Sequence, residues 1–191
     1  MNDPIENIEI ISDDLFKEEK IDGKIYLMAT PCDEHIDVQF NICSIFNEYF
    51  KRNKKRCRAR SEAQLKINWA NYFEPDIMVF CFDTNKNIPL IIIEVLSKST
   101  RDRDLGMKMK KYALFGIKEY WIVDWLNLSI DIYILTNEKK YEFYKSYSHF
   151  IPKDLSNILS EDEKKEAVKE FSPVSIPELK ILLEDVFYFV E

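Results

Sequence analysis

The sequence has few glycines, no long apolar run and no leading signal, and each absence narrows the class of protein. Only three of the 191 residues are glycine and no low-complexity tract occurs, so an ordinary globular chain is expected. No apolar run approaches the roughly 18 residues that cross a bilayer. The acidic start MNDPIENIEI also differs from the basic start of a signal peptide. We therefore expect one cytoplasmic domain over residues 1–191, with no membrane partner.

Cysteine and histidine are too scattered to form a recognisable zinc motif. No CxxC pair occurs among the four cysteines, which are Cys32, Cys43, Cys57 and Cys81. The two histidines, His35 and His149, are also far apart in the sequence. The spacing predicts reduced cysteines that act as small apolar side chains, without a structural zinc.

The charge of the chain is negative overall and unevenly placed. A net charge of -7 argues against a generally basic surface for nucleic acid. Residues 51–60 nevertheless form a dense basic run, whose cationic members are Lys51, Arg52, Lys54, Lys55, Arg56, Arg58 and Arg60. Such a run could neutralise several DNA phosphates. It is also typical of a helix C-terminus whose cations complement the helix dipole, and the two readings stay open.

Apolar periodicity predicts an α/β (α+β) chain with a central mixed sheet flanked by helices. An irregular or helical lead-in should occupy the first 20 residues, and Ile36, Phe40, Cys43, Phe46 and Phe50 should form the buried face of the first helix. A loop is predicted over 68–75, a polar segment over 152–170 and a docked strand or short helix over 175–190. The predicted helices are 33–51 and 100–115, and the predicted strands are 23–31, 57–67, 76–82, 88–96, 119–125, 129–136 and 140–148.

Two acidic residues should meet in the hairpin of strands 76–82 and 88–96. The five-residue turn DTNKN is centred on Asn85, so symmetric pairing places Asp76 opposite Glu94 on one face. Like charges that face each other directly are destabilising unless something compensates. Mg²⁺ is a natural compensator, because hard cations take carboxylate oxygens. A one-residue slip, or a nearby Arg or Lys, would remove the need for a metal.

A lysine near this acid pair is expected on the following helix. Leu96 stands where a Glu-x-Lys pattern would place the cation. A helical wheel centred on Leu105 puts Lys108 alone among the lysines of that helix in the inward arc, where neighbours could lower its pKa. The alternative is an exposed pair with Asp104 at i, i+4.

These motifs together resemble the Uma-two family of restriction-endonuclease-like proteins, within the PD-(D/E)XK nuclease superfamily. The similar stretches are EPD at 74–76, EVLSKSTRDRD at 94–104, GIKEYWIVD at 116–124 and EKIDGKIY at 19–26, together with Pro31, His35, Lys108 and Tyr112. The resemblance implies a restriction-endonuclease-like core with Asp76 and Glu94 as metal ligands. It also implies that Lys108 is the catalytic lysine, moved from the strand to the helix, and that Glu19 is a supporting acid.

The resulting hypothesis is a Mg²⁺-dependent DNA endonuclease, with Mn²⁺ as a substitute. Asp76, Glu94 and Lys108 would act at the scissile phosphodiester, Tyr112 and Arg101 would support them, and the basic run would follow the DNA backbone. A homodimer is also expected. The alternative is a nuclease-like fold that binds nucleic acid or protein without cutting.

Overall fold

The computed structural model describes residues 18–28, 30–82, 88–97, 101–149 and 169–190. The described helices are α1 (Asp33–Arg52), α2 (Arg101–Arg103), α3 (Met109–Phe115) and α4 (Leu183–Val186), and a π-helical turn, Asp104–Lys108, joins α2 to α3. The described strands are β1 (Glu18–Ile21), β2 (Lys24–Leu27), β3 (Cys57–Ser61), β4 (Leu65–Asn68), β5 (Asn71–Phe73), β6 (Ile77–Cys81), β7 (Ile91–Val95), β8 (Glu119–Asp124), β9 (Ser129–Leu135), β10 (Tyr141–Ser148), β11 (Glu170–Phe171) and β12 (Ile181–Leu182).

The main sheet has six strands in the order β10-β9-β8-β7-β6-β3. Strands β7 and β8 are parallel, and the other neighbours are antiparallel. The predicted α/β arrangement with a central mixed sheet is therefore confirmed. A second sheet has the order β2-β1-β5-β4, and β11 pairs with β12. In the described part of the chain, no helix is both long and apolar enough to cross a membrane.

Two apolar clusters cover the two faces of the main sheet. Helix α1 packs on one face, where Val38, Ile42 and Phe46 join Ile93 and residues of the C-terminal segment. On the other face, Tyr112 of α3 and residues of the second sheet pack on Met78, Ile92 and Tyr120. Successive strand residues alternate between the faces. Glu94 therefore points away from α1, on the same side as Ile92 and Leu96.

Several predicted strand positions were wrong. A short polar segment forms a strand only when a neighbouring strand pairs with it, and the sequence does not show that neighbour. The first described strand begins at Glu18, within the predicted lead-in, and β5 lies within the predicted loop 68–75. The strand predicted over 57–67 breaks at Glu62, whose φ is 49°, and continues in the other sheet. The turn 83–87 and residues 152–168 lie outside the described ranges.

The predicted buried face of α1 was also partly wrong. Phe40 is 70% exposed and Ile36 is 45% exposed. The buried stripe is instead His35, Val38, Gln39, Ile42, Phe46 and Phe50. Two polar side chains thus occupy the buried stripe, which is unusual for a helix that packs on a sheet.

Cys57 and Cys81 form a disulfide, so the prediction that all four cysteines are reduced was wrong for this pair. They are directly opposite partners in the β3–β6 ladder, with Cα atoms 4.1 Å apart. The register of the two strands brings them together, which a count of spacings could not show. Cys32 and Cys43 are free thiols.

Candidate active site

The register of the predicted hairpin is confirmed in the β6–β7 ladder. Ile77 pairs with Ile93, Met78 with Ile92 and Val79 with Ile91, as symmetric pairing about Asn85 requires. The ladder ends at Ile77, one residue after Asp76. The Asp76 carboxylate then accepts the backbone N–H of Val95, with Oδ2 and N 2.7 Å apart. Asp76 thus lies at the end of β7, next to Glu94.

Lys108 lies at the centre of a buried acidic cluster. Its Nζ is 2.8 Å from Glu94 Oε1, 3.0 Å from Glu19 Oε1 and 3.2 Å from Asp104 Oδ1. All four residues are about 1% exposed. We call these four residues the acid–lysine cluster. The inward position predicted for Lys108 and its pair with Asp104 therefore both occur, at the same buried place.

The local backbone explains how Asp104 and Lys108 both point inward. They are four residues apart and bound the π-helical turn, and Tyr112 follows four residues later on the same side. Leu105, the centre of the predicted wheel, is exposed, so the wheel was centred wrongly for this turn. Helix α3 ends at Gly116, whose φ of 82° gives a left-handed cap.

Two further contacts fix the cluster in place. The Tyr112 hydroxyl donates to Glu94 Oε1 at 2.8 Å, so this oxygen is held by two donors. The backbone N–H of Glu74 donates to Glu19 Oε1 at 3.1 Å. Glu19 therefore connects the segment that leads into Asp76 to the Lys108 ammonium.

The electrostatics of the cluster follow from three carboxylates around one ammonium. Burial alone would lower the pKa of Lys108, but Glu94, Asp104, Glu19 and Asp76 outweigh it and hold the pKa well above its usual range. The suggestion that neighbours lower this pKa was therefore wrong. Burial raises the pKa of Glu94, Lys108 opposes the rise, and Asp104, Asp76 and Glu19 add to it. Negative charge thus exceeds positive charge here.

The donors are suited to a hard divalent cation, which prefers carboxylate oxygens. Among the described residues, however, no group of three or more His, Cys, Asp or Glu side chains has the arrangement of a metal centre. In this structure the ammonium of Lys108 provides the positive charge among the carboxylates. The excess negative charge is what an additional cation would compensate, so the donor chemistry fits Mg²⁺.

Two polar residues that the sequence reasoning did not place in the site contact Asp76 from α1. Gln39 Nε2 donates to Asp76 Oδ1 at 2.9 Å, and His35 Nε2 lies 3.2 Å from the same oxygen. Sequence reasoning considered His35 only for zinc and in the family pattern, and overlooked Gln39. The sequence could have indicated both residues by their spacing, because His35 and Gln39 fall on the same face of α1 as Ile42 and Phe46.

The remaining predicted residues lie around this centre or away from it. Arg101 is exposed and pairs with Asp124, with Nη1 and Oδ2 3.4 Å apart. Lys51 and Arg52 form the last turn of α1, as the helix-dipole reading requires. Lys55 pairs with Glu178 at 3.4 Å. The basic run is therefore divided between a helix end and strand β3, which carries Arg58 and Arg60.

A mixed sheet that brings buried acids and a lysine to the ends of adjacent strands defines a restriction-endonuclease-like protein. The fold matches the crystal structure of a putative nuclease belonging to DUF820 from Anabaena variabilis, with a TM-score of 0.65, 19% identity and 91% coverage of both chains.

Residues 6–160 match the Uma2 family, described as "Putative restriction endonuclease", and the chain belongs to that family. An uncharacterised protein of Synechocystis sp. is 28% identical over 125 residues, which are 61% of this chain and 65% of that protein. The matched region thus spans slightly less than two thirds of that relative. The predicted family and fold are confirmed.

Proposed function

We propose that this protein is a Mg²⁺-dependent DNA endonuclease. The observation that carries the proposal is the acid–lysine cluster beside Asp76, at the end of two adjacent strands in a nuclease fold. Asp76 and Glu94 are the proposed ligands of the ion. When bound, Mg²⁺ would polarise a phosphoryl oxygen and stabilise the charge that develops as water attacks the phosphodiester.

Lys108 acts in this proposal as a fixed cation rather than as a base. Its raised pKa keeps it protonated at neutral pH, so it does not accept a proton from the attacking water. Together with the Tyr112 hydroxyl, it holds Glu94 Oε1 and so fixes the orientation of that carboxylate. Its positive charge also lowers the cost of placing three carboxylates in one buried space.

Strand β3 is the proposed surface for the DNA backbone. Arg60 pairs with Met78 and Arg58 with Phe80, and paired residues of antiparallel strands share a face. That face is the one on which Glu94 lies. Both arginines are exposed, and the Arg58 guanidinium lies 4.7 Å from the centre of the Phe82 ring. Two exposed cations on the same face of the sheet as Glu94 suit a phosphate backbone.

The catalytic proposal is tested by plasmid nicking with Mg²⁺ or Mn²⁺. Asp76→Ala and Glu94→Ala are expected to abolish cleavage, because each removes a proposed ligand. Glu138→Ala, which changes an exposed carboxylate, serves as the matched control and should cut like the wild type. Circular dichroism and thermal unfolding establish that each variant is folded. Equal cleavage by wild type and both site variants would overturn the proposal.

The surface proposal is tested by the salt dependence of DNA binding. Arg58→Gln with Arg60→Gln should weaken binding and reduce the slope of log K against log salt by about 2, since each phosphate contact contributes about 0.9. Lys51→Gln with Arg52→Gln removes the same charge at the end of α1 and should leave the slope unchanged. An equal effect of both double variants would show that net charge, and not β3, governs binding.

A second candidate function has its own support in the burial of Lys108. The side chain is 1% exposed, and the described residues contain no assembled metal centre. A nuclease fold that binds DNA without cutting is consistent with both facts. DNA binding that is unaffected by EDTA, with no cleavage in any metal tested, would favour this function over the endonuclease.

A further inference from the structure

The Asp76 carboxylate is held from two directions. Its Oδ2 accepts the N–H of Val95 in β7, while its Oδ1 accepts the amide of Gln39 in α1. His35 Nε2 lies 3.2 Å from Oδ1 and 3.1 Å from Gln39 Nε2. Gln39 Nε2, His35 Nε2 and Asp76 Oδ1 therefore form a triangle, in which the oxygen belongs to a proposed metal ligand.

Gln39 is the member of this triangle that can serve both neighbours. Its amide carries two N–H donors, one of which bonds Asp76. The other can bond His35 when Nε2 of the imidazole is unprotonated. When that nitrogen carries a proton, it donates to Asp76 itself. Asp76 Oδ1 thus receives a donor from α1 with either form of the histidine.

Packing alone does not account for two polar residues in this stripe. Gln39 is 4% exposed and His35 is 6% exposed, and their neighbours in the stripe are Val38 and Ile42. Burying an amide and an imidazole is costly unless they are hydrogen-bonded, and an apolar side chain would pack here without that requirement. Among the residues that the structure describes, the side chain outside α1 that both contact is Asp76.

We propose that Gln39, supported by His35, is a positioning residue that fixes the Asp76 carboxylate. Rigid placement of a ligand before the ion arrives reduces the cost of binding it. The inference rests on the proposed function for its effect on metal affinity. Its structural part, the fixed carboxylate, concerns the metal-free protein and can be measured there.

The test compares Gln39→Leu and Gln39→Glu with Asn41→Leu. Leucine removes the donor, and ionised glutamate keeps the size of glutamine but repels Asp76. Asn41 is a matched control, because it is also a hydrogen-bonded amide of α1 but contacts the carbonyls of Val186 and Tyr188. Mn²⁺ binding, followed by the EPR signal of the free ion, should weaken about tenfold or more in Gln39→Leu and stay at the wild-type value in Asn41→Leu.

Amide hydrogen exchange at Val95 provides a readout that needs no metal. This N–H is donated to Asp76, so loss of that bond should speed its exchange by roughly tenfold in both Gln39 variants. Wild-type protection of Val95 in both variants would overturn the positioning role, whatever the metal data show. If wild-type protein binds no Mn²⁺, the metal proposal fails instead, while faster Val95 exchange in the Gln39 variants would still support positioning.

Discussion

Two buried glutamates on neighbouring parallel strands show how differently the fold treats the same side chain. Glu94 of β7 is 1% exposed and Glu119 of β8 is 0% exposed. Glu119 accepts the Trp121 indole N–H and the backbone N–H groups of Val174 and Ser175. Glu94 instead contacts an ammonium and a hydroxyl, among other carboxylates.

This difference distinguishes Glu119, which is a structural anchor, from Glu94, which is a candidate reactive group. The Glu119 carboxylate accepts hydrogen bonds from neutral N–H donors, which hold it in one orientation. The two backbone donors also attach the segment around 174–175 to the main sheet. Glu94 lies in a cluster whose charges do not balance, so its state depends on pH and on added cations. Ionisable groups whose pKa is strongly perturbed are concentrated at functional sites, and Glu94 is such a group.

The largest effect is expected when the only ammonium of the acid–lysine cluster is removed. Lys108→Met keeps most of the volume but leaves three carboxylates without their cation, which should cost about 3–5 kcal/mol of unfolding free energy. Urea denaturation measures the loss. Adding Glu94→Gln should recover part of it, because one of the buried charges disappears, and strict additivity of the two changes would contradict the coupling.

A smaller loss is expected at the anchor. Glu119→Ala leaves buried N–H donors without their acceptor, which should cost about 2–3 kcal/mol. The variant should keep wild-type Mn²⁺ affinity, because Glu119 has no contact with the acid–lysine cluster. Urea denaturation and Mn²⁺ binding measured on the same samples test both statements. A loss of metal binding in folded Glu119→Ala would remove the distinction between anchor and reactive group.

The smallest effect should be a pH dependence confined to Glu94. Burial is the main cause of its raised pKa, which Lys108 opposes and Asp104, Asp76 and Glu19 increase. An acid whose pKa rises on folding contributes stability below its ordinary pKa of 4.5 and loses that contribution as pH rises through the higher folded value. In EDTA, wild type should therefore lose stability relative to Glu94→Gln as pH rises from 4. Parallel pH curves would contradict this.

The sequence could predict the parts of the site that local periodicity determines. The polar turn and the alternation of β6 and β7 were enough to find the register that brings Asp76 beside Glu94. The helical phase of the following segment was enough to direct Lys108 inward, although Leu105, on which the wheel was centred, is exposed. Both features depend on residues close together in the chain.

The parts that failed depend on neighbours distant in the sequence. The pKa of Lys108 was predicted in the wrong direction because the approach of Glu19, which lies in β1, was not included. Glu119 and Gln39 were overlooked, because their partners lie 55 and 37 residues away along the chain. The available signal was a polar residue spaced like the buried apolar residues of the same helix or strand. Such a residue is expected to be buried and therefore to need a hydrogen-bond partner.

The packing of the C-terminal segment on α1 has a consequence for how the chain folds. Asn41 donates to the carbonyl of Val186, 145 residues later, and Phe171 and Leu183 share a cluster with Val38 and Phe46. Contacts between such distant residues require closure of a very long loop, which slows folding. Sheet residues such as Ile93 can cover part of the apolar face of α1 earlier. The part that Phe171 and Leu183 cover must stay exposed during synthesis until that segment has left the ribosome.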